Sequence, residues 1–341
     1  MPRVFLFART FGNYTVLCYN YYTRDVFKSI RYMFEIIFIF ICAVALVIKG
    51  ATFSTKYAAK LADSFGLSRY AVGFIVVAVI SILPETFVAI NAALAGVSSF
   101  GLGTLFGSNV ADMTLIFTII ILFARRGIKI ESKILKKNKA YPFLLFLPLI
   151  LGVDGYFSRV EGMALVILGA VFYYTAFKSG SDLSVVQKSK HFPYTNFFML
   201  LLGMAILIVG SHFTVTSAVN FANLLGINPI LVGMLLVGLG TTMPELFFAV
   251  QAVKKQDDDL AVGDILGTVL ADATVVVGVL ALISPFSFPQ KIIYITGLFM
   301  VAASVILFTF MRSGRSISRR ESYALFLFWL IFVLVEFLAN T

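Results

Sequence analysis

Ten apolar stretches follow one another along this chain, and they restrict its fold more than any other feature of the sequence. Most are about 20 residues long, the length that an α-helix needs to cross the ~30 Å hydrocarbon core of a bilayer. They cover 33–53, 70–95, 100–123, 141–154, 160–177, 196–219, 229–253, 260–284, 291–311 and 322–340. Only 13% of the residues are charged, against about 25% in soluble domains. We therefore predict an all-α polytopic membrane protein with ten transmembrane helices, which excludes a soluble enzyme.

The basic residues predict how these helices are oriented. A net charge of +10 would suit a nucleic-acid partner, but Lys and Arg lie between the apolar stretches, as the positive-inside rule predicts. With the 125–139 loop in the cytoplasm, the segments after residue 32 place 20 Lys and Arg on the cytoplasmic side and two outside. We predict a multi-pass protein in contact with the lipid bilayer, with no nucleic-acid partner and no obligate protein partner.

Residues 1–32 depart from this pattern because they carry five basic residues on the predicted external side. The segment is also too polar to meet the criterion that identified the ten apolar stretches as transmembrane helices. Three readings remain: a weak additional helix, a peripheral amphipathic arm, or an upstream extension of a protein that starts at Met33. We treat 1–32 as an N-terminal extension.

An internal repeat divides the rest of the chain. Residues 73–112 align with 233–272 without a gap, and eleven of the forty positions are identical. The division predicts a first five-helix repeat over 33–177, a short cytoplasmic linker over 178–195 and a second five-helix repeat over 196–341. Because five is odd, the second repeat enters the membrane from the opposite side. Inverted repeats of this kind are typical of secondary transporters, so we predict a transporter and not an enzyme.

Four carboxylates lie deep inside the predicted helices, at equivalent positions of the two repeats: Glu85, Asp112, Glu245 and Asp272. Each costs about 2.5–3.5 kcal/mol at the centre of a bilayer, and no Lys or Arg of the same helix centres is available to pair with them. We expect them to face one another across a cavity and to be neutralised by bound cations or protons.

The residues around these carboxylates supply further oxygen ligands. Pro84 and Pro244 each precede a glutamate and free a backbone carbonyl about one turn earlier. The hydroxyl residues close to the four carboxylates in the sequence are Ser81, Thr241, Thr242, Ser108 and Thr268. Oxygen ligands without His or Cys select Ca²⁺ or Na⁺ over Zn²⁺ or Cu²⁺. The predicted site therefore binds transported ions, and no cofactor is expected.

Two pairs of motifs resemble the two α-repeats of the sodium/calcium exchanger family, within the cation/calcium antiporter superfamily. The motifs are Ser-Ile-Leu-Pro-Glu (81–85) with Gly-Ser-Asn-Val-Ala-Asp (107–112), and Gly-Thr-Thr-Met-Pro-Glu (240–245) with Gly-Thr-Val-Leu-Ala-Asp (267–272). In both pairs, Asp follows Glu by 27 residues, and the resemblance extends over about 33–340 in helix number and spacing.

The resemblance implies a site, a motion and a class of protein. Ca²⁺ would lie between Glu85 and Glu245, beside Ser81 and Thr241. Flanking Na⁺ sites would use Thr242, Ser108 and Thr268, with Asp112 and Asp272 in the middle. The first and sixth helices would slide across the others to alternate access. The short 178–195 linker is similar to that of a minimal, prokaryotic-type member of the family, which would lie in the cell membrane.

Two departures from the family pattern bear on the coupling ion. Ile82 stands where many first repeats have a small hydroxyl residue, and Asp112 stands where many have Asn. Four negative charges would leave −2 around one Ca²⁺, so a proton or monovalent cation is expected to bind as well. The leading hypothesis is a Ca²⁺/Na⁺ antiporter, and the alternative is an antiporter of Ca²⁺ or another divalent cation with H⁺.

Two other classes of membrane protein fit the sequence less well. An intramembrane aspartyl protease would use two buried Asp, and Val262-Gly263-Asp264 is superficially similar to one of its motifs, but Ala261 replaces the expected Gly and the chain has no Tyr-Asp pair. Asp264 is interpreted instead as a helix-start residue, and the acidic run 257–259 as a solvated loop. A cation channel would need a continuous pore, whereas inverted repeats favour alternation between two sides.

Overall fold

The computed structural model describes residues 12–64, 82–129, 141–180, 194–256, 258–314 and 316–340. Apart from four two-residue strands and short turns, these residues are helical. Seven of the described helices are long and apolar enough to cross a membrane. The prediction of an all-α membrane protein is therefore confirmed.

Five of the described helices come from the first half of the chain. They are α1 (Gly12–Ser64), α2 (Leu83–Leu94), α3 (98–124), α4 (Tyr141–Leu151) and α5 (Arg159–Gly180). Helix α3 consists of Ser98–Ala111, a π-helical turn Asp112–Ile116, and Phe117–Ala124. A 3₁₀ turn, Gly152–Asp154, follows α4. Strand β1 (Ile128–Lys129) follows α3, and β2 (Tyr156–Phe157) precedes α5.

Five further helices of the described part come from the second half. They are α6 (Tyr194–Leu225), α7 (Pro229–Lys254), α8 (258–283), α9 (292–314) and α10 (Arg319–Asn340). Helix α7 contains a π-helical turn, Gly233–Val237, and is interrupted at Thr242, after which Met243–Lys254 continues. Helix α8 contains the π-helical turn Asp272–Val276, and α9 begins with another, Ile292–Gly297. Strand β3 (Phe286–Ser287) follows α8, and β4 (Ser316–Ile317) precedes α10.

Most helix ends fall within a few residues of the predicted ones, with two differences. Helix α1 extends well beyond the predicted 33–53 at both ends, because the polarity of a segment does not by itself end a helix. In its carboxyl-terminal extension, Lys56 and Lys60 lie over the ring of Tyr57. Residues 70–81 of the predicted second helix, including Ser81, lie outside the described residues.

Helices α3 and α8 form the centre of the protein, and α1, α6 and α10 lie at its periphery. The peripheral helices expose large apolar side chains, among them Phe38, Phe198 and Leu338. Exposed apolar surface of this extent is unfavourable in water but matches the hydrocarbon of a bilayer. The arrangement therefore fits a protein whose outer face is covered by lipid.

Glycines allow α3 and α7 to approach closely beside the centre. A Cβ atom on Gly107 would lie 2.5 Å from both Cγ and the carbonyl oxygen of Met234, at the π-helical turn of α7. On the α7 side, a Cβ atom on Gly233 would lie 2.9 Å from the Thr104 hydroxyl. Gly103 and Gly107 are four residues apart on one face of α3, and both allow this close packing of the two helices.

Gly107→Ala is expected to destabilise the protein by about 1–3 kcal/mol, because the added methyl group would overlap backbone that cannot move away freely. Gly101→Ala in the same helix is the matched control. Its Cβ would lie 3.2 Å from the nearest atom, in Ala92, and Ala is favoured over Gly inside a helix by about 1 kcal/mol. Thermal unfolding in detergent measures both changes, and equal melting temperatures for the two variants would contradict the packing argument.

Contacts between α1 and α6 recur in reciprocal form. A Cβ atom on Gly50 would meet Leu207, and one on Gly210 would meet Val47. Gly210 and Leu207 are the positions that the 160-residue repeat pairs with Gly50 and Val47, so exchanging the two halves reproduces the contact. Self-complementary contacts of this kind are the signature of a two-fold relation.

The helix ends show the same reciprocity. Strand β1 pairs with β4, and β2 pairs with β3, so that α3 is joined to α10 and α8 to α5. Ser158 and Glu161 form a capping box at the start of α5, with Ser158 N donating to Glu161 Oε2 at 2.8 Å. Ser318 and Glu321 form the equivalent box at the start of α10, at 2.7 Å.

Candidate functional site

The two predicted glutamates occupy the same structural position in each half. Glu85 lies in the first turn of α2 after Pro84, and Glu245 lies in the first turn of Met243–Lys254 after Pro244. The residue before each of these helical segments has almost the same backbone angles, with φ −75° and ψ −6° at Ile82 and φ −78° and ψ −3° at Thr242. The amino-terminal end of a helix carries partial positive charge, which stabilises a carboxylate there.

The two predicted aspartates begin π-helical turns. Asp112 is the first residue of the turn in α3, and Asp272 is the first residue of the turn in α8. A π-helical turn widens the helix locally and occurs often at functional sites. The aspartates therefore lie where the two central helices change their hydrogen-bond pattern.

All four carboxyl groups are fully buried, with 0% exposure of the residues. None of their eight oxygen atoms has a hydrogen-bond partner among the described residues. They also form none of the ion pairs found in the described part of the chain. Burying a carboxylate without a partner costs several kcal/mol, so these oxygens are suited to bind groups supplied from solution.

The four carboxyl groups are close enough to interact electrostatically across helix boundaries. Glu245 interacts with Glu85 and Asp112. Asp272 also interacts with these two residues. The side chain of Thr241 faces the Glu85 carboxyl. The structure thus brings the acidic residues of both halves together at the centre of the helix bundle.

Four of the five predicted hydroxyl residues are described, and all four are buried. Ser108, Thr241 and Thr242 donate to carbonyl oxygens of their own helices, those of Leu105 at 2.9 Å, Gly238 at 3.0 Å and Leu239 at 3.1 Å. Because the proton is used in this bond, the hydroxyl oxygen presents its lone pairs to a cation. Thr268 Oγ1 has no hydrogen-bond partner in the described part of the chain.

The described residues contain no group of three His, Cys, Asp or Glu side chains placed to hold one metal ion. An ion at this site would therefore be shared between one or two carboxylates and neutral oxygens. Ca²⁺ takes six to eight oxygen ligands and accepts carboxylate, carbonyl and hydroxyl oxygens together. The hydroxyl groups of both halves and the carbonyls near Pro84 and Pro244 are available for this role.

The prediction that Asp264 is a helix-start residue is wrong. Helix α8 begins at Asp258, and Asp264 lies within it with only 2% exposure. Asp264 also interacts electrostatically with Asp112 and Glu245. Its spacing from Thr268 and Asp272, four and eight residues, places all three on one helix face and is the sequence signal that could have revealed it.

The acidic run 257–259 is not simply a solvated loop either. Asp258 is 7% exposed and accepts two hydrogen bonds from the guanidinium of Arg126, at 2.5 and 2.7 Å. These hydrogen bonds raise the pKa of Arg126 above its ordinary value, so the guanidinium stays charged. The pair ties the loop after α3 to the start of α8, and we call this end of the molecule the Arg126 side.

On the other side of the bundle, α2 and α6 share a polar contact. Asn91 Nδ2 donates to Ser211 Oγ at 2.8 Å. The positions paired with these residues by the repeat are Gln251 and Ala51, which cannot form the same contact. The two halves are therefore similar in fold but not in every contact.

Comparisons with known proteins agree with this arrangement. The sodium/calcium exchanger protein family model matches residues 35–178 and again residues 195–338. The sodium/calcium exchanger MaX1 of Methanosarcina acetivorans is 25% identical over 88% of this chain and 97% of its own length. The inner membrane protein YrbG of Escherichia coli is 28% identical over 72% of this chain and 79% of its own length.

A solved structure has the same fold. The sodium-calcium exchanger NCX_Mj, soaked with Na⁺ and Sr²⁺, superposes with a TM-score of 0.64 at 22% sequence identity. The match covers 88% of this chain and 98% of the solved one. Because the family model matches most of the sequence, in two copies, the chain is a member of the sodium/calcium exchanger family.

Proposed function

We propose that this protein is a secondary-active antiporter that exchanges Ca²⁺ for Na⁺ across the membrane by alternating access. The observation that carries the proposal is the set of eight buried carboxylate oxygens that have no hydrogen-bond partner among the residues that the structure describes. MaX1, which is similar over most of the chain, bears the name of a sodium/calcium exchanger.

The charge of the site explains why transport would be an exchange. An empty site would place four ionisable carboxyls in the low-dielectric centre of a bilayer, where each charge costs about 2.5–3.5 kcal/mol. Passage between the two access states is therefore unfavourable unless cations neutralise the carboxylates. Loading is required in both directions, so one ion must enter for another to leave.

We assign the ligands as the sequence motifs suggest. Ca²⁺ lies between Glu85 and Glu245, beside Ser81 and Thr241. Flanking Na⁺ ions use hydroxyl oxygens, with Asp112 and Asp272 in the middle of the site. The flanking hydroxyl residues are Thr242, Ser108 and Thr268.

We further propose ten transmembrane helices in two inverted five-helix repeats, 33–177 and 196–341, joined by the linker 178–195. The reciprocal contacts of α1 with α6, the two capping boxes and the two matches of the family model support this arrangement. The excess of Lys and Arg supports a cytoplasmic Arg126 side. The relatives from Methanosarcina acetivorans and Escherichia coli support a prokaryotic cell membrane. Residues 1–32 remain an N-terminal extension outside the repeats.

A Ca²⁺/H⁺ antiporter is the second candidate, and Asp112 and Ile82 favour it. Asp112 adds a fourth carboxylate that a proton could neutralise. The side chain of Ile82 is partly buried against the apolar core, so this position offers no side-chain oxygen to Na⁺. The equivalent residue of the second half, Thr242, carries a buried hydroxyl.

Uptake of ⁴⁵Ca²⁺ into proteoliposomes tests the function and identifies the coupling ion. The vesicles are loaded with Na⁺, and pH and voltage are clamped. Uptake that disappears when choline replaces internal Na⁺ is the expected result. Uptake that ignores Na⁺ but follows an imposed pH gradient would establish the second candidate. Absence of Ca²⁺ uptake under both gradients would refute both.

A further inference from the structure

A row of oxygen-bearing side chains runs along one face of α8, from the centre of the site toward the Arg126 side. Asp264, Thr268 and Asp272 are spaced four residues apart, so they lie one above the other on successive turns. All three residues are buried, with exposures of 2%, 0% and 0%. The row covers about 12 Å of the helix axis.

The middle of this row has a free ligand group. Thr268 Oγ1 is fully buried and has no hydrogen-bond partner among the described residues, although a threonine inside a helix ordinarily donates to the carbonyl four residues earlier. Thr114 and Thr274 each make that bond, at 2.5 and 2.7 Å. The hydroxyl of Thr268 is thus available to a ligand between the two aspartates.

The outer end of the row belongs to the same electrostatic environment as the site. Asp264 interacts with Asp112 on α3 and with Glu245 on α7. Helix α5 braces this stretch of α8, because Tyr173 Oη donates to the carbonyl oxygen of Gly267 at 2.5 Å. A cation beside Asp264 would therefore be attracted onward by carboxylates on three helices.

The opposite half of the molecule lacks this carboxylate. The 160-residue repeat pairs Asp264 with Thr104, whose hydroxyl donates to the carbonyl oxygen of Phe100 at 3.0 Å and packs against Gly233. Thr104 is buried in the half of α3 that lies away from the Arg126 side. The two half-pathways, which lead from the two sides of the membrane to the four-carboxylate site, are therefore similar in fold but different in charge.

We propose that Asp264 is a relay site for the transported cation, occupied transiently as the ion passes between the Arg126 side and the four-carboxylate site. The inference rests on the proposed antiport function and adds a binding residue to it. The ligand is a hard cation, Ca²⁺ or its coupling ion, held by the Asp264 carboxylate and the Thr268 hydroxyl. An ion that enters from the Arg126 side then meets the Asp264 carboxylate on its way to the site, whereas an ion that enters from the opposite side does not.

Sided transport kinetics test this proposal. A C-terminal affinity tag separates proteoliposomes by orientation, because α10 begins on the Arg126 side and ends on the other. The KM for ⁴⁵Ca²⁺ is then measured with Ca²⁺ supplied to each side in turn. Asp264→Asn is expected to raise the Arg126-side KM about tenfold, because Ca²⁺ arriving from that side loses the carboxylate that it contacts before it reaches the four-carboxylate site. The KM on the opposite side is expected to stay unchanged.

Two further variants separate the relay from a structural role. Asp264→Glu keeps the charge and is expected to raise the Arg126-side KM less than Asp264→Asn does, with the opposite-side KM unchanged. The exchange Asp264→Thr with Thr104→Asp moves the carboxylate to the other half-pathway and is expected to transfer the lower KM to the opposite side. Equal KM changes on both sides, or no change on either, would overturn the relay. Absence of uptake by the wild-type protein would overturn the proposed function, and the relay with it.

Discussion

Glu85→Gln and Glu245→Gln are each expected to reduce Ca²⁺ transport by about 100-fold or more while leaving the protein folded. Gln keeps the size of Glu but removes the charge that holds a divalent cation, and a 100-fold loss corresponds to about 2.7 kcal/mol of binding free energy. Because both glutamates are buried and have no hydrogen-bond partner in the described part of the chain, their neutral variants are expected to unfold at or above the wild-type temperature in Ca²⁺-free detergent. ⁴⁵Ca²⁺ uptake and thermal unfolding are the two measurements.

Glu161→Gln is the matched control for this pair. Glu161 belongs to the capping box of α5, far from the site in the sequence, and Gln is also accepted at that position of a capping box. Its transport rate is expected to equal that of the wild-type protein. Retained transport in either site variant would show that the substituted glutamate does not belong to the binding site.

The second large effect concerns the sliding of α1 and α6 across the other helices. A short thiol crosslinker between Asn91→Cys and Ser211→Cys is expected to abolish transport, and a reducing agent is expected to restore it. These side chains are in hydrogen-bonding contact between α2 and α6, so a covalent bridge would fix α6 to the body of the protein. The variants are prepared without Cys18 and Cys42, of which Cys42 is exposed.

A bridge between two helices of the same rigid body is the control for this experiment. Thr118 Oγ1 donates to the carbonyl oxygen of Ser322 at 2.9 Å, which joins α3 to α10. Crosslinking Thr118→Cys to Ser322→Cys is expected to leave transport intact, because neither helix moves relative to the other. Full transport by the crosslinked α2–α6 pair would contradict motion of α6 against the body.

The helices could be predicted from the sequence because the bilayer imposes a simple rule on them. A segment that crosses hydrocarbon must be apolar for about 20 residues, and the described bounds of α3, α7 and α10 follow the predicted stretches closely. The rule does not state where a helix ends in water. For this reason the extension of α1 past residue 53 to Ser64 could not be predicted.

The candidate site could be predicted in outline because charges inside apolar helices are costly and occurred in repeated pairs. The structure places Glu85 and Glu245 at helix starts and Asp112 and Asp272 at π-helical turns, and no sequence rule anticipates the turns. Asp264 was misassigned because it lies close to an acidic run, and the sequence does not show how deep a residue lies. The depth depends on packing against other helices.

Contacts between segments that are distant in the sequence could not be predicted either. Arg126 and Asp258 are 132 residues apart, and their pairing depends on how α3 and α8 lie side by side. Asp258 was therefore expected in solvent, although it is buried in an ion pair. Local patterns of charge carry no information on such partners.

Locating the bound ion tests most directly the central claim, that the four buried carboxylates form the transport site. Crystals of the protein soaked with Sr²⁺, a heavier analogue of Ca²⁺, would be examined by anomalous diffraction. We predict a peak between the carboxyl groups of Glu85 and Glu245 that is absent from the Glu245→Gln variant. A strong peak elsewhere, or the same peak in that variant, would contradict the assignment.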